Sequence, residues 1–306
     1  MAAGGVEKDN LGELAVLGMS IIAEVPYLAG RLSRRLIPEN VARRYLTNDF
    51  DDLRHLVEVH GGQLRAVDYM VGDLAGETVL EIGPGRYNPA AVGFLGQGAA
   101  RIVFVEHARR NLDHGLLQQR IRDLMAAFGY CGSEWLRATA LDPAKAEART
   151  SFGQGRIEFR WQSAAATELP DNSVGAVFSN SVLQCLSEPQ EVFAELARVL
   201  KPGGIMYHMV DLRDHFFRFP LQFLCYSEYM WSHVLTSRYP HKAYLNRLRL
   251  PELRRMFEEL GLEVETRALA EDIEVVRRLR PRMHADFQQF TDEELAPMIA
   301  GVYCWK

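Results

Sequence analysis

An α/β fold built on one open, mostly parallel and doubly wound sheet is what the sequence predicts, and three observations predict it. Short apolar runs of strand character recur from residue 77 onward: Thr78–Ile82, Arg101–Val105, Ile157–Trp161, Gly175–Ser179 and Ile205–Val210. Helical stretches separate them, most clearly Glu188–Leu200, with Val192, Leu196, Val199 and Leu200 on one face. The first strand run closes on Gly83-Pro84-Gly85, a turn that carries a strand's carboxyl end toward a helix. Strands alternating with helices imply parallel pairing through right-handed crossovers.

Taken in order, residues 11–70 read as helical, with Leu14, Leu17, Ile21, Ile22, Val25 and Leu28 at helical spacing. Pro26 kinks or ends the first segment, and Pro38 opens another. This extension, residues 1–75, is expected to be a helical cover, a lid or a dimer contact; the α/β domain then spans 76–306. A polar helix is expected over 109–128, and loop plus helix over 129–155. Pro170-Asp171-Asn172-Ser173 turns the chain into the fourth strand. Lys201-Pro202-Gly203-Gly204 is expected to end the helix before the fifth strand, glycine supplying the positive φ of a C-terminal cap. An aromatic-rich insert over 214–250 follows. A helix over Pro251–Leu260, stopped at Gly261, then leads to strands at Leu262–Leu269 and Ala300–Trp305, which makes seven.

Composition removes several classes of function. The 306 residues carry 35 basic and 40 acidic side chains, a net charge of −5, which speaks against a protein that mainly grips phosphate backbone. Cys131, Cys185, Cys225 and Cys304 form no CxxC pair, so neither a zinc knuckle nor a disulfide scaffold is indicated. Leu14–Gly30 is too short and too interrupted to span a membrane. With no cationic, apolar leader at the start, the expected location is cytoplasmic.

The chemistry concentrates in a few places. In Val79-Leu80-Glu81-Ile82-Gly83-Pro84-Gly85 the glycines let backbone approach a ligand closely. The full GxGxxG fingerprint is absent, since Asn88 holds the third glycine position; that disfavours a nicotinamide enzyme. Glu106 ends the second strand, 21 residues after Gly85, where an acid can accept from both hydroxyls of a ribose or complement a helix dipole. Beyond the fifth strand come His208, Asp211, Arg213, Asp214 and His215. Histidine ordinarily titrates at roughly 6.5, which suits a general base. His208 also reads as a buried core group. Convergence of His208, Asp211 and His215 on a metal lacks a second cluster, so no metal is expected.

The run Ala166-Thr167-Glu168-Leu169-Pro170-Asp171-Asn172-Ser173-Val174-Gly175 leads through Ser179-Asn180-Ser181-Val182 to Leu196-Ala197-Arg198-Val199-Leu200-Lys201-Pro202-Gly203-Gly204. With VLEIGPG, it resembles the small-molecule branch of the class I S-adenosylmethionine-dependent methyltransferases, over roughly residues 77–211. The resemblance implies a Rossmann-like, seven-stranded, mostly parallel sheet and S-adenosyl-L-methionine as cofactor, with S-adenosyl-L-homocysteine as product. It places Glu81, Gly83 and Gly85 at the methionine end, Glu106 on the ribose and His107 beside the adenine. It sets Ser163 and Ala164 along the adenine edge, and Asn180 and Ser181 beneath the methionine and facing substrate. Two positions depart from the family pattern. Ala164-Ala165-Ala166 stands where Gly-Asp-Ala is common, and Gly175 replaces an acidic residue at the start of strand four.

The expected activity is methyl transfer to a small organic acceptor at oxygen, by in-line displacement, with His215 or His208 as base and Asp211 lining the site. The aromatic insert and the N-terminal helices would form the acceptor pocket, and Arg247 or Arg249 would hold an acceptor carboxylate or phosphate, or pair at the surface. Nitrogen or carbon methylation and a protein acceptor are the alternatives. Nucleic acid is not expected as a partner, and a homodimer is compatible with the sequence.

Overall fold

The computed structural model describes residues 74–85, 90–107, 119, 149–152, 156–215, 217, 219–236 and 245–306. Its strands are β1 (Thr78–Ile82), β2 (Arg101–Glu106), β3 (Arg149–Phe152), β4 (Ile157–Trp161), β5 (Val174–Asn180), β6 (Leu200–Asp211), β7 (Glu263–Glu271) and β8 (Pro297–Trp305). They form one sheet in the order β3-β4-β2-β1-β5-β6-β8-β7. The seven expected strands are all present. The eighth, β3, pairs antiparallel with β4 at the sheet edge, in a stretch expected to be loop plus helix. Four residues are too few to show a period, so only the open edge of β4 reveals this strand.

β1 pairs in parallel with β2 and with β5, β2 with β4, and β5 with β6. The chain end reverses: Gly203 donates to Lys306 at 2.7 Å, and Leu212 donates to Met298 at 2.8 Å, so β8 runs antiparallel to β6. Crossovers between the parallel strands include a 3-10 segment at Ala90–Gln97 and helix α1 (Pro189–Val199). α1 ends at an extended Leu200, not at a glycine. Gly203 does take positive φ (74°), but as part of a register shift inside β6, where its N–H reaches Lys306. The helix expected over 109–128 lies, apart from residue 119, outside the described residues.

Alternation along the strands makes two apolar layers. On one face Phe104 stacks on Phe159 (4.5 Å), Phe94 meets Phe178 edge-on (5.8 Å), and Tyr207 packs against Tyr303 (4.9 Å). On the other, Phe193 of α1 stacks on Phe257 of helix α2 (Leu250–Glu258) at 4.2 Å. Gly261, at φ 81°, ends the α2 region as expected.

The described residues fall into two compact units. One comprises the described part of 48–210 with Glu252–Arg267 and Gly301–Lys306; the other combines Asp211–Pro251 with Ala268–Ala300. The insert expected over 214–250 therefore folds together with 268–300, which holds α3 (Ile273–Leu279) and α4 (Asp292–Leu295). Its aromatics pack on one another: Phe223 against Trp231 at 5.7 Å, Phe217 against Tyr226 at 5.5 Å. The cover expected over 1–75 lies outside the described residues except for Leu74 and Ala75. Among the described residues no helix is long and apolar enough to cross a membrane.

Gly175 now has a physical reason. A Cβ there would lie 2.4 Å from the Glu77 carboxylate and 2.9 Å from the Glu77 Cβ, and Glu77 pairs with Lys201. Restoring an acid by Gly175→Asp is expected to destabilise the fold by about 1–3 kcal/mol through overpacking and like-charge repulsion. Thermal or urea melting of the variant checks this.

Candidate functional site

Parallel register brings the carboxyl ends of β4, β2, β1 and β5 to one edge, the place where ligands gather in open α/β sheets. A cavity of about 300 Å³ opens there, and its wall comes from every one of those ends. Ile82 and Gly83 follow β1, Glu106 and His107 close β2, Ser163–Ala165 follow β4, and Val182 with Cys185–Glu188 follow β5. Five residues named from the sequence thus meet: Gly83, Glu106, His107, Ser163 and Ala164.

The glycine turn is built for close approach. Gly83 has φ 65°, and a Cβ on it would sit 2.4 Å from Val182 Cγ2, so the loops after β1 and β5 touch through the missing side chain. Its N–H donates to Val105 at 2.9 Å, and Gly85 (φ 68°) donates to the Glu106 carboxylate at 3.1 Å. Glu106 is thereby oriented in the wall of the cavity.

The remaining cofactor candidates lie outside the cavity wall. Glu81 is buried and accepts the Ala91 N–H at 2.7 Å, an anchor for the 3-10 segment. Asn180 accepts the Ser181 hydroxyl at 3.0 Å. Ser181 itself has positive φ (55°), a strained turn of the kind that concentrates at functional sites.

Shape is imposed on the loop after β4 by buried charge. Glu195 of α1 accepts the Thr167 N–H (2.8 Å) and hydroxyl (2.5 Å), and Arg198 Nε at 2.7 Å. Arg198 also donates to Leu169 O, while Arg160 donates to Thr167 O at 2.6 Å. Burial alone would raise the Glu195 carboxyl; the bonds from Arg198 and Thr167 outweigh it and hold the group below its ordinary range. Glu195 and Arg198 are the conspicuous residues of the ELARVLKPGG run, and their work is to clamp the 167–170 turn that carries Ser163–Ala165.

The histidine and aspartate candidates separate. In the unit formed by Asp211–Pro251 and Ala268–Ala300, Asp211 accepts from the Arg213 guanidinium at 2.7 and 2.8 Å, and its Oδ2 lies 3.1 Å from His215 Nε2. Desolvation would raise the Asp211 carboxyl; Arg213 and His215 instead hold it well below the carboxylate range. The His215 side chain is 38% exposed. In the other unit His208 is 0% exposed, its Nδ1 is 2.7 Å from Ser179 Oγ, and its ring stacks on Phe257 at 5.5 Å. The expectation that His208 acts as a base therefore fails: the inward face of β6 buries it in the core, and desolvation lowers its pKa to about 3.

Arg247 and Arg249 are also corrected. Both are buried, and main-chain carbonyls accept from their terminal nitrogens. Arg247 serves Tyr226 (2.6 Å) and Phe223 and pairs with Glu228; Arg249 serves Leu212 (2.8 Å) and Pro297 (3.1 Å). They staple loops and do not hold an acceptor anion. Cavity residues missed from the sequence include Val182, Cys185, Leu186, Ser187 and Glu188. Their signal was topological: they follow the strand next to β1.

A family model for a methyltransferase domain matches residues 112–208, about a third of the chain. No curated protein sequence matches. Solved structures similar to the chain include an S-adenosylmethionine-dependent methyltransferase from Mesorhizobium loti, at 12% identity, covering 79% of this chain and 96% of that one, TM-score 0.45. Another is the phosphoethanolamine N-methyltransferase 2 of Haemonchus contortus solved with S-adenosyl-L-methionine, at 14% identity, 80% and 52% coverage, TM-score 0.46. The cyclase SpnF is a third, at 16% identity, 79% and 80% coverage, TM-score 0.43.

Because His208 stays neutral in the fold but takes a proton near 6.5 when unfolded, the unfolded state binds more protons between about pH 6.5 and 3. Stability is therefore expected to fall as pH drops through that window, by up to about 1.4 kcal/mol per pH unit from this group. Melting temperatures of His208→Gln between pH 7 and 4 should show a shallower decline than the parent's.

Proposed function

We propose that this chain, an S-adenosylmethionine-dependent methyltransferase of class I, methylates a small organic acceptor at oxygen and uses His215 as the general base. The observation that carries this reading is the pairing of an exposed imidazole with a buried, ionised carboxylate, Asp211, that Arg213 fixes in place.

The cavity fits a nucleoside-bearing cofactor. It offers a glycine turn that a Cβ would fill, a glutamate, Glu106, in its lining, and walls that include small and apolar side chains. Glu106 would accept from the ribose hydroxyls, His107 would flank the adenine, and Ser163 and Ala164 would line its edge. Gly83 and Gly85 would admit the methionine end, with Asn180 and Ser181 beside it; Glu81 would act beneath them by fixing the 3-10 segment. When bound, S-adenosyl-L-methionine supplies a methyl group on a sulfonium, an activated donor that needs no further activation by the protein.

The chain's own contribution is then alignment and proton removal. His215 Nε2–H donates to Asp211, which leaves the Nδ1 lone pair to accept a proton from a hydroxyl or phenol. Asp211, held ionised by Arg213, stabilises the imidazolium that forms. Arg213 orients Asp211 from two directions, through its backbone N–H and its guanidinium, so the carboxylate cannot swing away from the ring. Nitrogen acceptors that are neutral at working pH need less of this help, which is why oxygen is favoured.

Two variants test the two halves. Glu106→Ala should weaken S-adenosyl-L-homocysteine binding about tenfold or more, read by calorimetric titration, because two hydroxyls lose a charged acceptor. His215→Ala should cut turnover by about 10²- to 10³-fold while that binding stays within twofold. Incubating the parent with metabolite extracts and methyl-labelled cofactor, followed by mass spectrometry, identifies the acceptor. Undiminished turnover in His215→Ala removes the base; labelled product carrying an N-methyl or C-methyl group removes the oxygen assignment.

A further inference from the structure

We propose that Arg278 and Arg282 hold an anionic group of the acceptor, a phosphate or a carboxylate, so that the molecule methylated at its hydroxyl is itself an anion; the assignment rests on the His215 reading above and deepens it. Four arginines stand within six residues in Arg277-Arg278-Leu279-Arg280-Pro281-Arg282, at the end of α3. The fold sorts them. Arg277 pairs with Glu274 at 2.9 Å, one turn back on the same helix. Arg280 donates to the carbonyls of Phe287, Gln288 and Phe290 and lies 3.6 Å from Asp292. Arg278 and Arg282 are exposed, and among the described residues neither has a carboxylate within ion-pair distance.

The two guanidiniums sit on a continuous helical path. The Met283 N–H donates to Leu279 O at 3.1 Å, so the chain keeps turning past α3, and residues 278 and 282 are about one turn apart. Like charges at that spacing repel each other, and a bound anion relieves the repulsion. A helix end favours cations in its last turn, but Arg277 and Arg280 already supply them there.

Both free cations reach the segment that begins at His215. The Arg278 guanidinium carbon lies 5.6 Å from the centre of the Phe219 ring, a contact that orients the group without using its hydrogen-bond donors. Arg282 acts on the buried Cys225 thiol: burial pushes that thiol up to about 12, and the nearby guanidinium offsets part of the rise. The His284 N–H donates to Leu224 O at 2.9 Å and ties the two segments together. The Asp214 N–H donates to Pro220 O and closes the loop between them. His215 and Phe219 are each one Cα step, about 3.8 Å, inside that closure. Base and cations thus flank one short loop of a single compact unit.

Two guanidiniums match the oxygens of one phosphate or carboxylate, which arginine binds bidentately. Docking on an anionic lipid surface takes clusters of about four to eight cations, and the net charge of −5 opposes it. A small anionic acceptor is therefore the occupant.

Calorimetric titration of the full chain with phenyl phosphate and with phenylacetate tests this without any assay of methyl transfer, and shows which anion is preferred. The parent is expected to bind at least one of them. Arg278→Gln and Arg282→Gln should each weaken that binding about threefold, and together about tenfold or more, with melting temperatures unchanged. Arg277→Gln, which removes a neighbouring but ion-paired charge, should leave it within about twofold, as should His215→Ala. Unchanged binding in the double variant, equal loss in Arg277→Gln, or no binding by the parent overturns the anchor while leaving the base reading intact. Retention of the parent, but not of the double variant, on vesicles of equal parts phosphatidylcholine and phosphatidylserine, with neither phenyl compound bound, overturns it in favour of a lipid surface. A charged product that carries an N-methyl group in the metabolite screen overturns the base reading and leaves the anchor standing; a neutral product overturns the anchor.

Discussion

Parallel pairing of β1 with β2 on one side and with β5 on the other is the constraint on which the candidate site depends. The registers run Thr78↔Arg101 to Ile82↔Val105 and Val79↔Ala176 to Ile82↔Ser179, so the three strands end together. Only then can the Gly83 N–H reach Val105 O while the missing Gly83 side chain makes room for Val182. A slip of one residue in either ladder would turn Glu106 or the Ser181–Val182 turn to the opposite face. The apolar layers secure the register: Phe104 on β2 and Phe178 on β5 are buried in the same cluster as Val79 of β1.

A second layer of control is electrostatic. The loop after β4 makes no regular structure, yet Thr167 is completely buried, a place where unpaired backbone groups are costly. Glu195 takes the Thr167 N–H and hydroxyl, and Arg160 takes its carbonyl, so every polar group of that residue is satisfied. Arg198 neutralises Glu195 and reaches Leu169 O as well. Losing Glu195 would leave the buried Thr167 N–H and hydroxyl without their acceptor, at a cost of about 1–3 kcal/mol. A helix motif far along the chain from the loop thereby determines the shape of the cavity wall.

The strands of the sheet were legible because each is an apolar run bounded by turn residues, and the glycine turn with Glu106 was legible because its spacing encodes a ligand at a strand end. What stayed hidden had physical causes. β3 is a four-residue edge strand whose identity depends on β4, not on its own pattern. The aromatic stretch after β6 could line a pocket or fill a core, and composition cannot choose, because a partner such as His284, which donates to Leu224 O, is remote in sequence. Arg247 and Arg249 read as acceptor-binding or surface cations because guanidinium burial depends on carbonyls that only the folded chain supplies. The loop after β5 was visible as sequence, but its place on the cavity wall follows from strand order.

His208 and His215 are seven residues apart, and the sequence offers both as bases. Burial separates them. At 0% exposure among Ser179, Phe257 and the core, a proton on His208 has no solvent to leave for and no counter-charge to meet; the fold keeps the ring neutral. His215 lies past Asp211, the last residue of β6, where strand alternation no longer dictates burial. Its imidazole keeps a solvent-facing edge and gains a carboxylate that Arg213 holds ionised. A group that must take a proton and release it each cycle needs both an exit for the proton and a stabilising anion. By that criterion β6 divides the pair: the histidine inside the strand is packing, and the one beyond its end is the residue proposed as the base.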